Sequence, residues 1–165
     1  MRSTVLALGV FLTSAAALAT PARNLTLAEL VKGSNLIATG TVQQSAGEWQ
    51  DGRILTRHEF VLDDVWNGKA KGTVELTTLG GFVGDIGQRV SNQVDLREKE
   101  RILTFLVWDP LSDSYRIVGA SNGVYRIQTS NDGTLRLFGD ADSSPGQPPA
   151  LVELKTRVEE LARAR

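Results

Sequence analysis

The chain has 165 residues, 41% hydrophobic and 22% charged, a size and balance that fit one globular domain and exclude general disorder. With 18 Lys and Arg against 19 Asp and Glu the formal net charge is −1, so no basic excess marks a nucleic-acid partner. Cysteine is absent, which excludes a disulfide framework and a lipid anchor carried on cysteine.

The opening "MRSTVLALGVFLTSAAALAT" has the parts of an export signal. Arg2 supplies the positive charge, residues 5–12 the apolar run, and Ala17-Leu18-Ala19 the small-residue cleavage site. Residues 1–19 are therefore expected to be removed, with a cut after Ala22 as the alternative. The run is too short and too diluted by Ser, Thr and Ala to remain as a membrane anchor. The expected destination is the periplasm or the exterior. Residues 20–140 are then the folded domain, 141–150 a linker and 151–165 a terminal helix.

In chain order, "NLTLAELVKGSN" predicts a short helix. Thr26 and Glu29 have the spacing of a capping box, Leu27, Leu30 and Val31 share a face, and Gly33 is the expected left-handed stop. "NLIATGTVQ" reads as the first strand. Asp51-Gly52 marks a hairpin turn into a long second strand, "RILTRHEFVLDDVW", on which Ile54, Thr56, His58, Phe60 and Leu62 share one face. Val65 and Trp66 fall off that alternation, so a bulge is expected near Asp63-Asp64. Further strands follow at "GTVELTTL", "RILTFLVW", "SYRIVGA", "GVYRIQT" and "TLRLF", and the run "RILTFLVW", beginning at Arg101, is apolar on both faces, as a central covered strand is. Turn signals between strands predict a small antiparallel barrel or sandwich. In "LVELKTRVEELARAR", Leu151, Leu154, Val158 and Leu161 recur at helical spacing, which predicts a helix docked on the barrel.

The glycine-dense stretch "LGGFVGDIG" fits neither phosphate-binding motif. It lacks the lysine of a P-loop, and Gly80, Gly81, Gly84 and Gly87 miss the dinucleotide spacing. A structural or recognition loop is the expectation. His58 is the single histidine, no Gly-x-Ser-x-Gly elbow surrounds any serine, and a lone His without Cys makes no usual zinc site. Asp63 and Asp64, adjacent on a strand, are expected to face opposite ways. No catalytic residue, metal or cofactor is expected, and the protein is not expected to be an enzyme.

The order "LAELVKGSNLIATGTV", "W-x-DGRILT", "VWNG", "LGGFVGDIG", "RILTFLVW" and "YRIVGASNGVYRI" resembles a group of exported bacterial proteins without an assigned function, over residues 27–127. Asn67 and Lys99 stand where that pattern has Lys and Gly. More distantly the layout looks like the netrin-like barrel of tissue inhibitors of metalloproteinases. The resemblance implies a mainly β, OB-like (netrin-like) barrel with a short N-terminal helix and a C-terminal amphipathic helix. It does not carry over the inhibitors' zinc-chelating N-terminal cysteine, which this chain lacks.

An OB-like barrel binds through the face of its second and third strands and the adjoining loops. Carried onto this chain, that implies a binding site at Trp49, Arg57, Glu59, Gly80, Gly81, Phe82, Gly84 and Asp85. The expected function is a non-enzymatic binding module for a protein partner, with inhibition or escort of a secreted protease as one form. The alternatives are a hydrolase using His58 with a serine the sequence does not identify, and a structural envelope protein.

Overall fold

A computed structural model describes residues 24–139 and 149–164. The expected export signal and most of the expected linker lie outside the described residues. Helix α1 (Leu27–Gly33) starts on the capping box: the Glu29 N–H donates to Thr26 Oγ1 at 3.3 Å, and the Thr26 N–H donates to Glu29 Oε2 at 2.9 Å. The expected left-handed stop at Gly33 is not taken. Ser34 closes the helix in an extended conformation (φ −101°), its hydroxyl donating to the Leu30 carbonyl at 2.6 Å. Packing explains the glycine instead, since a Cβ there would sit 2.9 Å from Val118 Cγ1.

Strands β1 (Leu36–Gln50) and β2 (Arg53–Asn67) form a long hairpin whose register runs from Ile37↔Asn67 to Gln50↔Arg53. Asp51 and Gly52 both have positive φ, 48° and 77°, as a two-residue turn matching strand twist requires. β1 extends well past the strand its own sequence predicts, because the alternating β2 supplies a partner for residues 44–50. Thr39 pairs with Asp64 and Gly40 with Leu62, leaving Asp63 as the extra residue of the expected bulge. The two aspartates diverge: Asp63 accepts from Arg101 Nε at 2.8 Å and Asp64 from Lys155 Nζ at 2.6 Å.

Then come β3 (Thr73–Leu79), β4 (Gly81–Val83), β5 (Ile86–Gln88), β6 (Arg101–Asp109), β7 (Ser114–Ile117), a 3-10 turn (Ala120–Gly123), β8 (Val124–Thr129), β9 (Leu135–Gly139) and helix α2 (Leu151–Arg163). Seven strands make one mixed sheet in the order β1-β2-β3-β7-β6-β8-β9, and β1 also pairs with β6. Five strands thus pair in a circuit and the sheet closes partly into a ring. The expected all-antiparallel arrangement is wrong at one seam, where β3 and β7 run parallel and share two residue pairs, Leu76↔Tyr115 and Thr77↔Arg116. The reason is parity. Directions cannot alternate around an odd circuit, so one neighbouring pair must run the same way.

The sheet has a core on each face. Inside the ring lie Leu36, Val42, Phe60, Leu76, Ile102 and Leu106. Outside it Ile37, Leu103 and Phe105 meet Leu30 and Val31 of α1 and Leu154 and Val158 of α2. β6 feeds both cores by alternation, Ile102 and Leu106 inward and Leu103 and Phe105 outward, as its two apolar faces predict. All four stripe residues of α2 join the outer core. Burying side chains such as Leu154 and Val158 stabilises the docking by about 1.5–3 kcal/mol each.

Before β6, Lys99 holds φ 65° while its N–H donates to the Val42 carbonyl at 2.6 Å. This is the position where the resembled pattern has glycine. A side chain in the left-handed region costs about 1–2 kcal/mol, and glycine's greater unfolded freedom offsets about half of that. Lys99→Gly is therefore expected to stabilise the fold by about 0.5–1 kcal/mol, read as a higher urea midpoint at unchanged slope. A lower midpoint would contradict this account of the turn.

Candidate functional site

A cleft of about 560 Å³ opens at one end of the ring, within the size range of ligand sites. Its floor is the inward face of the three-stranded β1–β2–β3 meander. A two-residue turn pairing Gln50 with Arg53 also sets Ser45 opposite His58, and there the register places them. Ser45 Oγ lies 2.7 Å from His58 Nδ1, and Thr78 Oγ1, from β3, lies 2.9 Å from His58 Nε2. His58 is 3% exposed. Burial pushes its pKa down to about 4, opposed only in part by the Asp95 carboxylate, so the imidazole is neutral at neutral pH.

The hairpin β4–β5 forms one wall. The stretch expected to be a glycine loop is thus a small two-stranded sheet, with Gly81↔Gln88 and Val83↔Ile86 paired around a Gly84-Asp85 tip. Two glycines let it lie on the floor. A Cβ on Gly47 of β1 would overlap the Phe82 carbonyl oxygen, and one on Gly81 (φ 120°) would overlap Thr56 Oγ1. Three hydrogen bonds tie the wall to β2: Gly80 N–H to the Ile54 carbonyl (2.8 Å), Thr56 Oγ1 to the Gly80 carbonyl (2.7 Å), and Ile54 N–H to Gln88 Oε1 (2.6 Å). The irregular chain at 93–96 forms the facing wall, and the Ser45 N–H donates to Glu98 Oε1 at 3.1 Å.

Large apolar side chains stand open at this end. Phe82 is 75% exposed, Ile86 56% and Trp49 51%. Phe82 lines the cleft with its ring over Gly87, and Trp49 shares the strand face of Gly47 that the hairpin covers.

Of the residues picked out from the sequence, Gly80, Gly81 and Phe82 line the cleft, and Gly84 and Asp85 form the hairpin tip. Trp49 adjoins them. Arg57 and Glu59 do not join this group, because alternation turns them to the outer face of β2. Arg57 is clamped there by Glu48, 2.6 Å from its Nε, and by Glu75; those two bonds raise its pKa further. Glu59 is exposed on the same outer face. Sequence reasoning missed Ser45, Thr78, Gln88, Gln93 and Asp95 as parts of the site. For Ser45 a usable signal existed, the register that the Asp51-Gly52 turn imposes.

A second cleft, about 420 Å³, lies between the Asp51-Gly52 turn and the turn at Asp109, where β3 and β7 separate. Three of its polar side chains are already engaged. Thr77 Oγ1 and Ser114 Oγ are 2.6 Å apart, and Arg116 meets Asp109 at 3.0 Å. Among the described residues no group of three His, Cys, Asp or Glu is placed to hold a metal ion. No protein-family model matches the chain, and no curated protein matches it.

Proposed function

We propose that the protein is an exported, non-enzymatic binding module on an OB-like barrel, and that it binds a protein partner at the cleft end. One observation carries the reading: Phe82 stands 75% exposed in the lining of a cleft of about 560 Å³, and Trp49 and Ile86 are also exposed on the strand and the hairpin that contribute to that lining. Exposed aromatic anchors beside a concavity are where protein interfaces concentrate their energy. The five-strand circuit has the strand number of an OB-like barrel and supports that part of the proposal. Inhibition or escort of a secreted protease is the form of binding that the netrin-like resemblance favours.

The 2.7 Å contact between Ser45 and His58 favours a second reading, a hydrolase. It is the weaker one. A base whose pKa lies near 4 is poorly matched to neutral pH, and a hydroxyl rather than a carboxylate holds its other nitrogen.

Affinity capture from the medium around the producing cells separates the two. Wild type is expected to retain a stoichiometric protein partner, and the Trp49→Ser/Phe82→Ser/Ile86→Ser variant to bind it at least about tenfold more weakly. Undiminished capture by the folded variant would contradict the site. Turnover of a panel of esters, peptides and glycosides by wild type, lost in His58→Gln, would replace binding with catalysis.

A further inference from the structure

We propose that the occupant of the cleft is an extended polypeptide segment that adds as a third strand to the open edge of β5. The inference rests on the binding reading above and names the partner's binding conformation. Among the described residues β4 and β5 pair only with each other, so this two-stranded sheet leaves edges without ladder partners there. The β4 side is taken up, since the Phe82 carbonyl is directed at Gly47 of β1 and Gly81 lies against Thr56 of β2. On the β5 side no described strand pairs. Ile86 and Gly87 are exposed, and the chain from 87 to 90 runs along the cleft.

An isolated two-stranded hairpin is marginal, and an open strand edge is a template for another extended chain. Strand addition supplies main-chain hydrogen bonds, while side chains at alternate positions find specific contacts. Phe82 and Ile86 offer apolar contacts beside this edge. The Gln88 side chain accepts from Ile54 through Oε1, leaving its amide nitrogen to donate, and Gln93 stands on the facing wall. Arg89 and Asp95 contribute one charge of each sign to the lining. A lining of zero net charge suits a neutral peptide backbone, whereas a polyanion calls for a basic groove. The segment should therefore carry apolar side chains at alternate positions.

The test selects binders from a phage-displayed random dodecapeptide library on the purified protein. The best peptide is then synthesised with each backbone amide N-methylated in turn, and its affinity read by fluorescence anisotropy. The expected result has a period of two. Methylation at alternate residues weakens binding about tenfold or more, the intervening positions change it less than about threefold, and Phe82→Ala weakens it about tenfold. Failure to select any peptide, or equal tolerance of every methylation, overturns the proposal. So does a dimer in sedimentation equilibrium that Gly87→Pro dissociates, since a second copy would then occupy the edge. Patch-dependent capture of a folded partner combined with indifference to methylation ends the strand proposal and leaves the binding reading. Loss of both ends both.

Discussion

Replacing Gly81 with valine is expected to lower stability by about 3 kcal/mol, and Gly84→Val by about 1–2 kcal/mol. Both positions have positive φ, 120° at Gly81 and 58° at Gly84, so a β-branched residue is strained at either. The environments separate them. A Cβ at Gly84 meets nothing within 4 Å, whereas at Gly81 it would overlap Thr56 Oγ1, the hydroxyl that holds the Gly80 carbonyl. The valine at Gly81 must therefore push the hairpin off β2 as well as strain its own backbone. Urea titrations of wild type and the two variants measure the difference, and partner affinity should fall with the same order. Equal midpoints for Gly81→Val and wild type would mean that the hairpin is not seated on β2.

The second large effect is on pH dependence. His58 has a folded pKa of about 4, against an ordinary value of 6.5. Above pH 6.5 the imidazole is neutral in both folded and unfolded chains, and its environment leaves stability unaffected by pH. Between 6.5 and 4 the unfolded chain takes up a proton that the folded chain refuses, so stability falls as the pH falls. The loss through this window is about 3 kcal/mol, and it levels off for this group below pH 4. His58→Gln removes the titration while retaining a polar side chain toward Ser45 and Thr78. Its stability curve should be flatter than that of wild type across pH 6.5–4, the carboxylates being common to both. Parallel curves would show that His58 is not buried as a neutral ring.

Much of this fold was legible because its signals are local. The capping box at Thr26 and Glu29, the turn at Asp51-Gly52, the slip in alternation at Asp63 and the stripe on α2 each lie within a few residues of the structure they cause. The two-faced β6 was legible as well, since a strand apolar on both sides needs a layer on each. What failed depends on distant partners. Gly33 is small because Val118, far along the chain, presses on it, and no local stop signal distinguishes that from a left-handed cap. The β4–β5 hairpin has three-residue strands, too short for a period-two pattern to emerge from a run dense in glycine. The parallel seam follows only once the circuit is known to have five members. Arg57 resembled a free binding side chain, but its clamp uses Glu75, which β2–β3 pairing delivers. Half of the candidate site was visible in the glycines and Phe82, while its floor required the hairpin register and the third strand.

The most direct test of the binding site is hydrogen-exchange mass spectrometry on the protein with and without its captured partner. The account predicts added protection at residues 45–49, 80–90 and 93–96, with little change in α1, α2 or the outer face at Arg57 and Glu59. Protection concentrated on the helices or on that outer face, with the hairpin unchanged, would contradict it.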